Sequence, residues 1–343
     1  MSTDPNALDI TKLAPELEKN VPDFSGLNKI SKFDTGQSNP TYLLDADSGK
    51  YVLRAKPPGK LLKSAHQVDR EYRIMNALKD TDVPVPETLF LSDEDSSIGR
   101  MYFIMKFVEG RVLHDFHLPD FPKEDRAKYY DSMNDVLAKL HSVNVNAVGL
   151  EDFGRAGNYY ARQLSTWTKQ YRASETSLVQ PMEDLIQWLG ENLPADDDNL
   201  TLVHGDYSLR NVMFHKDKPE VVAVLDWELS TLGHPLADLA YQCMYWRLPH
   251  KSMFVGLAGM DRESFGLPLE KDYVAAYCKR RGIPGVQHWT FCVAFAVFRL
   301  DAIIQGVYKR YLDGNASNPE QAQRLGEAVP VLAGIAMDMI RSE

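Results

Sequence analysis

Along the 343 residues the spacing of apolar positions changes character once. Between Lys29 and Phe107, apolar and polar side chains fall into short β-prone runs, at 29–34, 41–45, 51–55, 88–91 and 101–107. Within 51–56 the alternation has period two, so Val52, Arg54 and Lys56 share one face while Tyr51, Leu53 and Ala55 share the other. One stretch breaks the strand pattern. Val68, Tyr72, Met75 and Leu78 recur at helical spacing behind a capping box of Ser64 and Gln67, which predicts a single helix ending near Asp80. Val83-Pro84-Val85-Pro86 then stops any helix and extends the backbone.

Past Phe107-Val108-Glu109-Gly110, where the glycine interrupts the strand pattern, helical periodicity takes over. Helices are expected over 122–140, 159–171, 182–193, 235–247, 270–281, 287–311 and 319–340. Short β-type runs at 200–203, 212–215 and 221–225 stand between two of them, joined by polar loops. The pattern therefore predicts an α+β chain of two lobes: residues 1–106, a small antiparallel sheet with one helix, and residues 107–343, mainly helical with a small hairpin inside. No repeat at a period of about 20–50 residues suggests a solenoid or propeller.

Composition narrows the functional classes. With 44% hydrophobic and 25% charged residues the chain is neither disordered nor a coiled coil. Lys and Arg number 38 against 48 Asp and Glu, and the net charge of −10 argues against nucleic acid or an anionic membrane as general partners. Cys243, Cys278 and Cys292 stand far apart, without the spacing of a zinc site or disulfide framework. The longest uninterrupted apolar run, 328–337, contains Pro330 and falls short of the roughly 18 residues that span a bilayer, so no transmembrane helix is expected. The first twenty residues carry Asp4, Asp9, Glu16 and Glu18 without a basic, then apolar, leader pattern. A cytoplasmic chain is expected.

The chemistry concentrates in one stretch. His204-Gly205-Asp206 is followed by Asn211 and, fifteen residues further on, by Asp226 at the end of an apolar run. This is the H-x-D-x-x-x-x-N spacing with a later aspartate that protein kinases use. Phosphoryl transfer asks little covalent chemistry of a protein; it needs an acceptor hydroxyl held in line and phosphate charge neutralised. Asp206 would accept or orient the hydroxyl proton, and the hard oxygens of Asn211 and Asp226 would ligate Mg²⁺. Such residues in a turn also commonly bond only to their own backbone, and it is the complete constellation that points to chemistry.

These residues carry a resemblance. His204-Gly205-Asp206 with Asn211, Leu225-Asp226-Trp227-Glu228, and Gly233-His234-Pro235-Leu236-Ala237-Asp238-Leu239-Ala240 resemble the aminoglycoside phosphotransferase family of kinase-like small-molecule enzymes. The likeness implies a two-lobed protein-kinase-like fold with ATP in a cleft and a hydroxyl as acceptor. Tyr51-Val52-Leu53-Arg54, the segment from Lys56 to Leu62, and Asp69-Arg70-Glu71-Tyr72-Arg73 are similar to the branch that occurs alone or fused to acyl-CoA dehydrogenases. That branch implies hydroxyacyl-CoA acceptors rather than antibiotics.

A kinase-like first lobe needs a cation on a strand over the phosphates and a glutamate on the neighbouring helix to hold it. Arg54, rather than Lys56 beside Pro57-Pro58, is the expected cation, with Glu71 as its partner. Val52 would cover adenine, Met105 and Phe107 would present hinge backbone to it, and Gly36 and Ser38 in the Asp34–Asn39 turn would lie over phosphates. Gly205 stands where protein kinases carry arginine, and Ser208 where they commonly carry lysine; Arg210 is a candidate substitute. Asp238 is expected to tie down the loop's backbone, and His204 to lie beneath it. The expected function is Mg²⁺- and ATP-dependent phosphorylation of a small molecule's hydroxyl. The alternatives are an aminoglycoside kinase or another small-metabolite kinase, of choline- or sugar-like substrates, and a nucleotide-binding pseudokinase module. The oligomeric state is open.

Overall fold

The computed structural model describes residues 8–33, 39–59, 66–155, 157–250, 256–315 and 318–342. Gly36, Ser38 and the capping residue Ser64 lie outside them. In chain order the elements of the first third are α1 (Ile10–Asn20), β1 (Leu27–Lys32), β2 (Thr41–Ala46), β3 (Gly49–Ala55), α2 (Val68–Leu78), β4 (Thr88–Leu91), β5 (Tyr102–Lys106) and β6 (Arg111–Val112). They are followed by α3 (Lys123–His141), α4 (Tyr159–Ser174), α5 (Gln180–Glu191), β7 (Thr201–Val203), β8 (Val212–Phe214), β9 (Val221–Val224) and β10 (Thr231–Gly233). The chain ends in α6 (Leu236–Arg247), α7 (Glu270–Arg281), α8 (Trp289–Leu312) and α9 (Pro319–Arg341).

The chain divides into two compact units: Met1–Arg111 with Ala147–Leu150 and Met213–Leu229, and the remainder. A single cut after residue 106 therefore misses one feature, because the hairpin from Met213 onward groups with the N-terminal unit. The reason lies in backbone bonding. Val83-Pro84 leaves the Pro84 carbonyl without a ladder partner, and the Val224 N–H donates to it at 2.8 Å.

The first unit is built on an antiparallel five-stranded sheet, ordered β1-β2-β3-β5-β4. Period-two alternation sends Tyr51, Leu53 and Ala55 to one face, where they meet Tyr42, Leu44, Tyr102 and Ile104. α1 covers that face through Leu13 and Leu17. This helix escaped the sequence reading because only two residues, four apart, bury and Pro15 lies inside it; the Asp9 carboxylate caps its start, accepting from the Thr11 N–H at 2.9 Å. The unit thus has two helices against its sheet rather than one. α2 lies on the opposite face, with Tyr72 edge-on to Phe103 at a 6.1 Å ring separation.

In the second unit the predicted helices form within three residues of their expected ends. The β-type run at 200–203 is not part of the hairpin: β7 pairs antiparallel with β10, Val203 opposite Thr231, and the hairpin is β8 and β9 alone. β10 is three residues long, too short to announce itself by alternation. A second correction concerns α8. Its 24 residues include a window of mean hydropathy 1.6, long and apolar enough to cross a membrane, against the expectation of no such helix. Within this fold 72% of that window is buried, packed among α4, α6 and α9.

Candidate active site

Two groups of polar side chains stand out, one in each unit. In the first unit, Arg54 projects from β3 on the face that α1 does not cover. Its Nε lies 2.9 Å from Glu71 Oε2 on α2, and its Nη2 lies 2.5 Å from Asp226 Oδ1 just beyond β9. Glu71 is almost wholly buried and Arg54 nearly so, whereas 36% of the Asp226 side chain remains exposed, so Asp226 is the open end of the row. Asn39 clamps the other end, donating Nδ2–H to Glu71 Oε1 at 2.7 Å, and His66 Nδ1 lies 3.0 Å from its amide oxygen. Burial pushes the Glu71 carboxyl above the usual range, and Arg54 opposes this while Asp226 adds to it. Burial also disfavours the Arg54 charge, but Glu71 and Asp226 outweigh it and hold the guanidinium firmly protonated. Asp226 adopts φ +64°, the left-handed region that aspartate tolerates at a cost on the order of 1 kcal/mol.

The predicted cation is thus placed against its predicted glutamate, while Lys56 pairs with Glu94 at 2.5 Å instead. On Arg54's face, Val52 stands opposite both Leu43 and Met105, forming an apolar strip beside the charged row. The hinge expectation changes in detail. The Lys106 N–H donates to the Glu87 carbonyl at 2.9 Å and the Phe107 N–H to Lys50 at 3.3 Å, while Met105 sits in the ladder. These backbone donors are spent within the unit, and the segment presents the half-buried Met105 side chain. The Phe107 ring instead faces the Lys50 ammonium, 5.9 Å from its centroid. Gly36 and Ser38 lie outside the described residues.

In the second unit the loop after β7 is anchored from below. Asp238, in the first turn of α6, accepts from the His204 N–H at 2.6 Å and the Gly205 N–H at 2.8 Å. His141 Nε2 approaches the same carboxylate at 3.3 Å, with Nδ1 2.6 Å from the Tyr277 hydroxyl. Burial alone would raise the Asp238 pKa, but His141 and the loop N–H groups hold it below the usual carboxylate range. Burial also lowers the His141 pKa, so its neutral ring donates to Asp238 and accepts from Tyr277. Gly205 takes φ +83°, which strains any other residue. The glycine in place of a kinase arginine therefore has a backbone reason.

Asp206 follows directly. Its N–H donates to His204 Nδ1 at 3.2 Å. Asn211 Nδ2 donates to the Asp206 carbonyl at 2.8 Å and to Oδ2 at 2.7 Å, which leaves the amide oxygen of Asn211 as the atom that could meet a metal ion. Burial pushes the Asp206 pKa upward, against the opposing influence of Tyr241 and the charge of Arg299. The Tyr207 hydroxyl donates to the Met133 carbonyl at 2.8 Å and pins the loop to α3. Ser208 is buried, and exposed Arg210 lies over the rings of Phe116 and Tyr245 at 5.3 and 5.9 Å.

Sequence reasoning missed Asn39, Tyr241, His141 and Arg299. Tyr241 carried a signal, because three residues after Asp238 on one helix it must share that residue's face. Arg299 carried another, as a cation inside the apolar run of α8.

Sheet, helices and loop together define a kinase-like phosphotransferase fold. A solved structure from Ralstonia eutropha JMP134, provisionally named an aminoglycoside phosphotransferase, superposes with a TM-score of 0.89 at 42% identity, covering 98% of this chain and 99% of that one. The structure of spectinomycin phosphotransferase APH(9)-Ia with ADP and spectinomycin shares the fold, with a TM-score of 0.65 at 13% identity over 98% of this chain and 100% of that one. The profile of the phosphotransferase enzyme family matches residues 29–280, and the chain belongs to that family. It accordingly carries a phosphotransferase domain of the kind these solved structures share. Among its curated relatives, mouse acyl-CoA dehydrogenase family member 10 is 46% identical over 320 residues, 93% of this chain and 30% of that protein. Rat acyl-CoA dehydrogenase family member 11 is 41% identical over 317 residues, 91% of this chain and 41% of its own length. The chain thus spans less than half of these relatives.

Proposed function

We propose that the chain transfers the γ-phosphoryl group of Mg²⁺-ATP to the hydroxyl of a small acyl compound, with hydroxyacyl-CoA thioesters as the acceptor class. The observation that carries this reading is the setting of Asp206. Its loop is fixed by Asp238, its carboxylate is oriented by Asn211, and burial raises its affinity for a proton. In the proposed step the acceptor oxygen bonds to the γ-phosphorus as the bond to the β,γ-bridging oxygen breaks; the hydroxyl proton passes to Asp206 and ADP leaves.

In the first unit, the strip of Leu43, Val52 and Met105 suits the flat face of adenine, and Arg54, held by Glu71, offers donors to phosphate oxygens. The Asn211 amide oxygen and the Asp226 carboxylate are hard donors that fit Mg²⁺. Among the described residues no group of three or more His, Cys, Asp or Glu gathers to hold a metal ion. Held by oxygens of this kind, Mg²⁺ would neutralise phosphate charge. Nucleotide use is supported by the spectinomycin enzyme, which holds ADP, and by the aminoglycoside phosphotransferase APH(4)-Ia, solved with AMP-PNP and hygromycin B. The acyl-CoA dehydrogenase relatives support the acceptor class.

The test is a coupled ADP-release assay with Mg²⁺-ATP against hydroxyacyl-CoA thioesters, sugars, amino alcohols and aminoglycosides. ADP release with a hydroxyacyl-CoA, abolished by Asp206→Asn, is the expected result. ATP binding in a calorimeter without ADP release on any acceptor would make the chain a pseudokinase module.

A further inference from the structure

Helix α8 carries a cation at the middle of an apolar run. Arg299 stands between the buried Phe298 and Leu300 and is only 7% exposed. Its guanidinium faces two rings, Trp167 of α4 at 5.4 Å and Tyr241 of α6 at 5.5 Å from the centroids. Its Nε is buried without a hydrogen-bond partner, and no carboxylate among the described residues pairs with it. Asp301, two positions on, is no exception: both its oxygens are also without partners, as expected for side chains about 200° apart around a helix. Burying an unpaired guanidinium costs more than two cation–π contacts return, so the position lacks a structural justification.

The location supplies one. Tyr241, whose ring lies beneath Arg299, also bears on the Asp206 carboxyl, as does the charge of Arg299 itself, so cation, tyrosine and carboxylate lie near one another within the second unit. The charge of Arg299 is felt at Asp206, Tyr159 and Tyr245 as well as at Tyr241. We propose that Arg299 is the acceptor-selecting residue, its guanidinium binding an acyl oxygen of the substrate while the substrate's hydroxyl meets Asp206. A single fork of donors beside aromatic walls fits one acyl oxygen on an apolar chain; a phosphate dianion would call for more donors. The same positive charge disfavours polycationic antibiotics. The acyl oxygen is either the carboxylate of a free hydroxy acid or the carbonyl of its thioester. This inference rests on the assignment of Asp206 as the base.

The experiment compares three acceptors on the full chain by ADP release: a hydroxybutyryl-CoA, the free hydroxybutyrate and butane-1,3-diol, which keeps the hydroxyl and lacks the acyl oxygen. The wild type is expected to favour an acyl acceptor over the diol by about 10- to 100-fold in kcat/KM, the worth of a hydrogen bond to a charged group. Preference for the free acid identifies a carboxylate ligand, and preference for the thioester a carbonyl. Arg299→Met should raise KM for the acyl acceptor by a similar factor with a smaller change in kcat, lower kcat/KM for the diol by clearly less than for the acyl acceptor, and keep ATP affinity by calorimetry. Arg299→Lys should restore part of the loss. Equal wild-type turnover of diol and acyl acceptors, turnover of sugar phosphates or aminoglycosides in their stead, or proportional loss on every acceptor in both variants would overturn the proposal. Wild-type ADP release that survives Asp206→Asn would instead defeat the assignment of the base, and so would remove the ground of this proposal by a different result.

Discussion

In the first unit the charged row consists of three side chains from stretches far apart in sequence, with Arg54 pairing to both Glu71 and Asp226 and Asn39 at the buried end. In the second, Asp206 and Asn211 lie five residues apart on one loop, and a single carboxylate, Asp238, holds that loop through backbone N–H groups. The first arrangement depends on charge and adjusts when one partner changes. The second depends on buried hydrogen bonds that have no substitute. A row of flexible side chains suits a site that must exchange a nucleotide, whereas a backbone-anchored loop suits a group that must keep its direction.

The loop is where the largest effects are expected. Asp206→Asn preserves its shape and removes the base, so kcat should fall by about 10²- to 10⁴-fold. ATP affinity in a calorimeter should stay within about twofold, because the loss concerns proton transfer rather than binding. Turnover near the wild-type level would show that Asp206 is only a turn residue. Asp238→Ala comes next. It strands the His204 and Gly205 N–H groups and the His141 ring in a buried setting, and a loss of about 2–5 kcal/mol in urea unfolding is expected. A loss within about 0.5 kcal/mol would place the loop's support elsewhere.

The contrast in construction also explains what was legible beforehand. Asp206, Asn211 and Asp226 were readable because their spacing along the chain is fixed by one loop and one hairpin. Arg54 and Glu71 were readable in combination, since period-two alternation on β3 and 3.6-residue periodicity on α2 aim both side chains at the same place. Asn39 was not, because nothing local ties its amide to a glutamate 32 residues later. α1 and β10 were lost for want of pattern, having two buried leucines and three residues respectively. The grouping of the β8–β9 hairpin with the first unit depends on the bond from Val224 to Pro84, which no periodicity encodes. Arg299 gave a signal that periodicity treats as noise: a lone charge in an apolar stripe.

A smaller effect is expected in the first unit. Glu71→Gln keeps an oxygen for Asn39 and Arg54 but removes the negative charge, so Arg54 turns further toward Asp226. Nucleotide affinity should weaken by about tenfold, with KM for the acceptor unchanged. A stability loss as large as that of Asp238→Ala would mean that the charged row is as rigidly determined as the loop, and the distinction between the two constructions would fall.

Asp301 sharpens the comparison as a carboxylate with neither kind of support. It is wholly buried on α8, both oxygens are without hydrogen-bond partners, and burial raises its pKa well above the ordinary aspartate value. The folded chain therefore retains a proton that the unfolded chain releases above about pH 4. Since the native state binds more protons, stability declines as pH rises from the unfolded pKa toward the folded one. Asp301→Asn replaces the neutral acid with a neutral amide of similar size. Unfolding free energies from urea titration of variant and wild type should agree within about 0.5 kcal/mol at mildly acidic pH, and the variant should become the more stable as pH rises to neutrality. Tyr171, whose buried hydroxyl also lacks a partner and which senses the charge of Asp301, is the neighbouring titratable group; its phenol stays protonated throughout this range and does not alter the sign. Parallel pH profiles for the two proteins would show that Asp301 is ionised in the fold and that a cation or solvent reaches it. A buried carboxylate in this unit would then be tolerated without the anchoring that Asp238 receives.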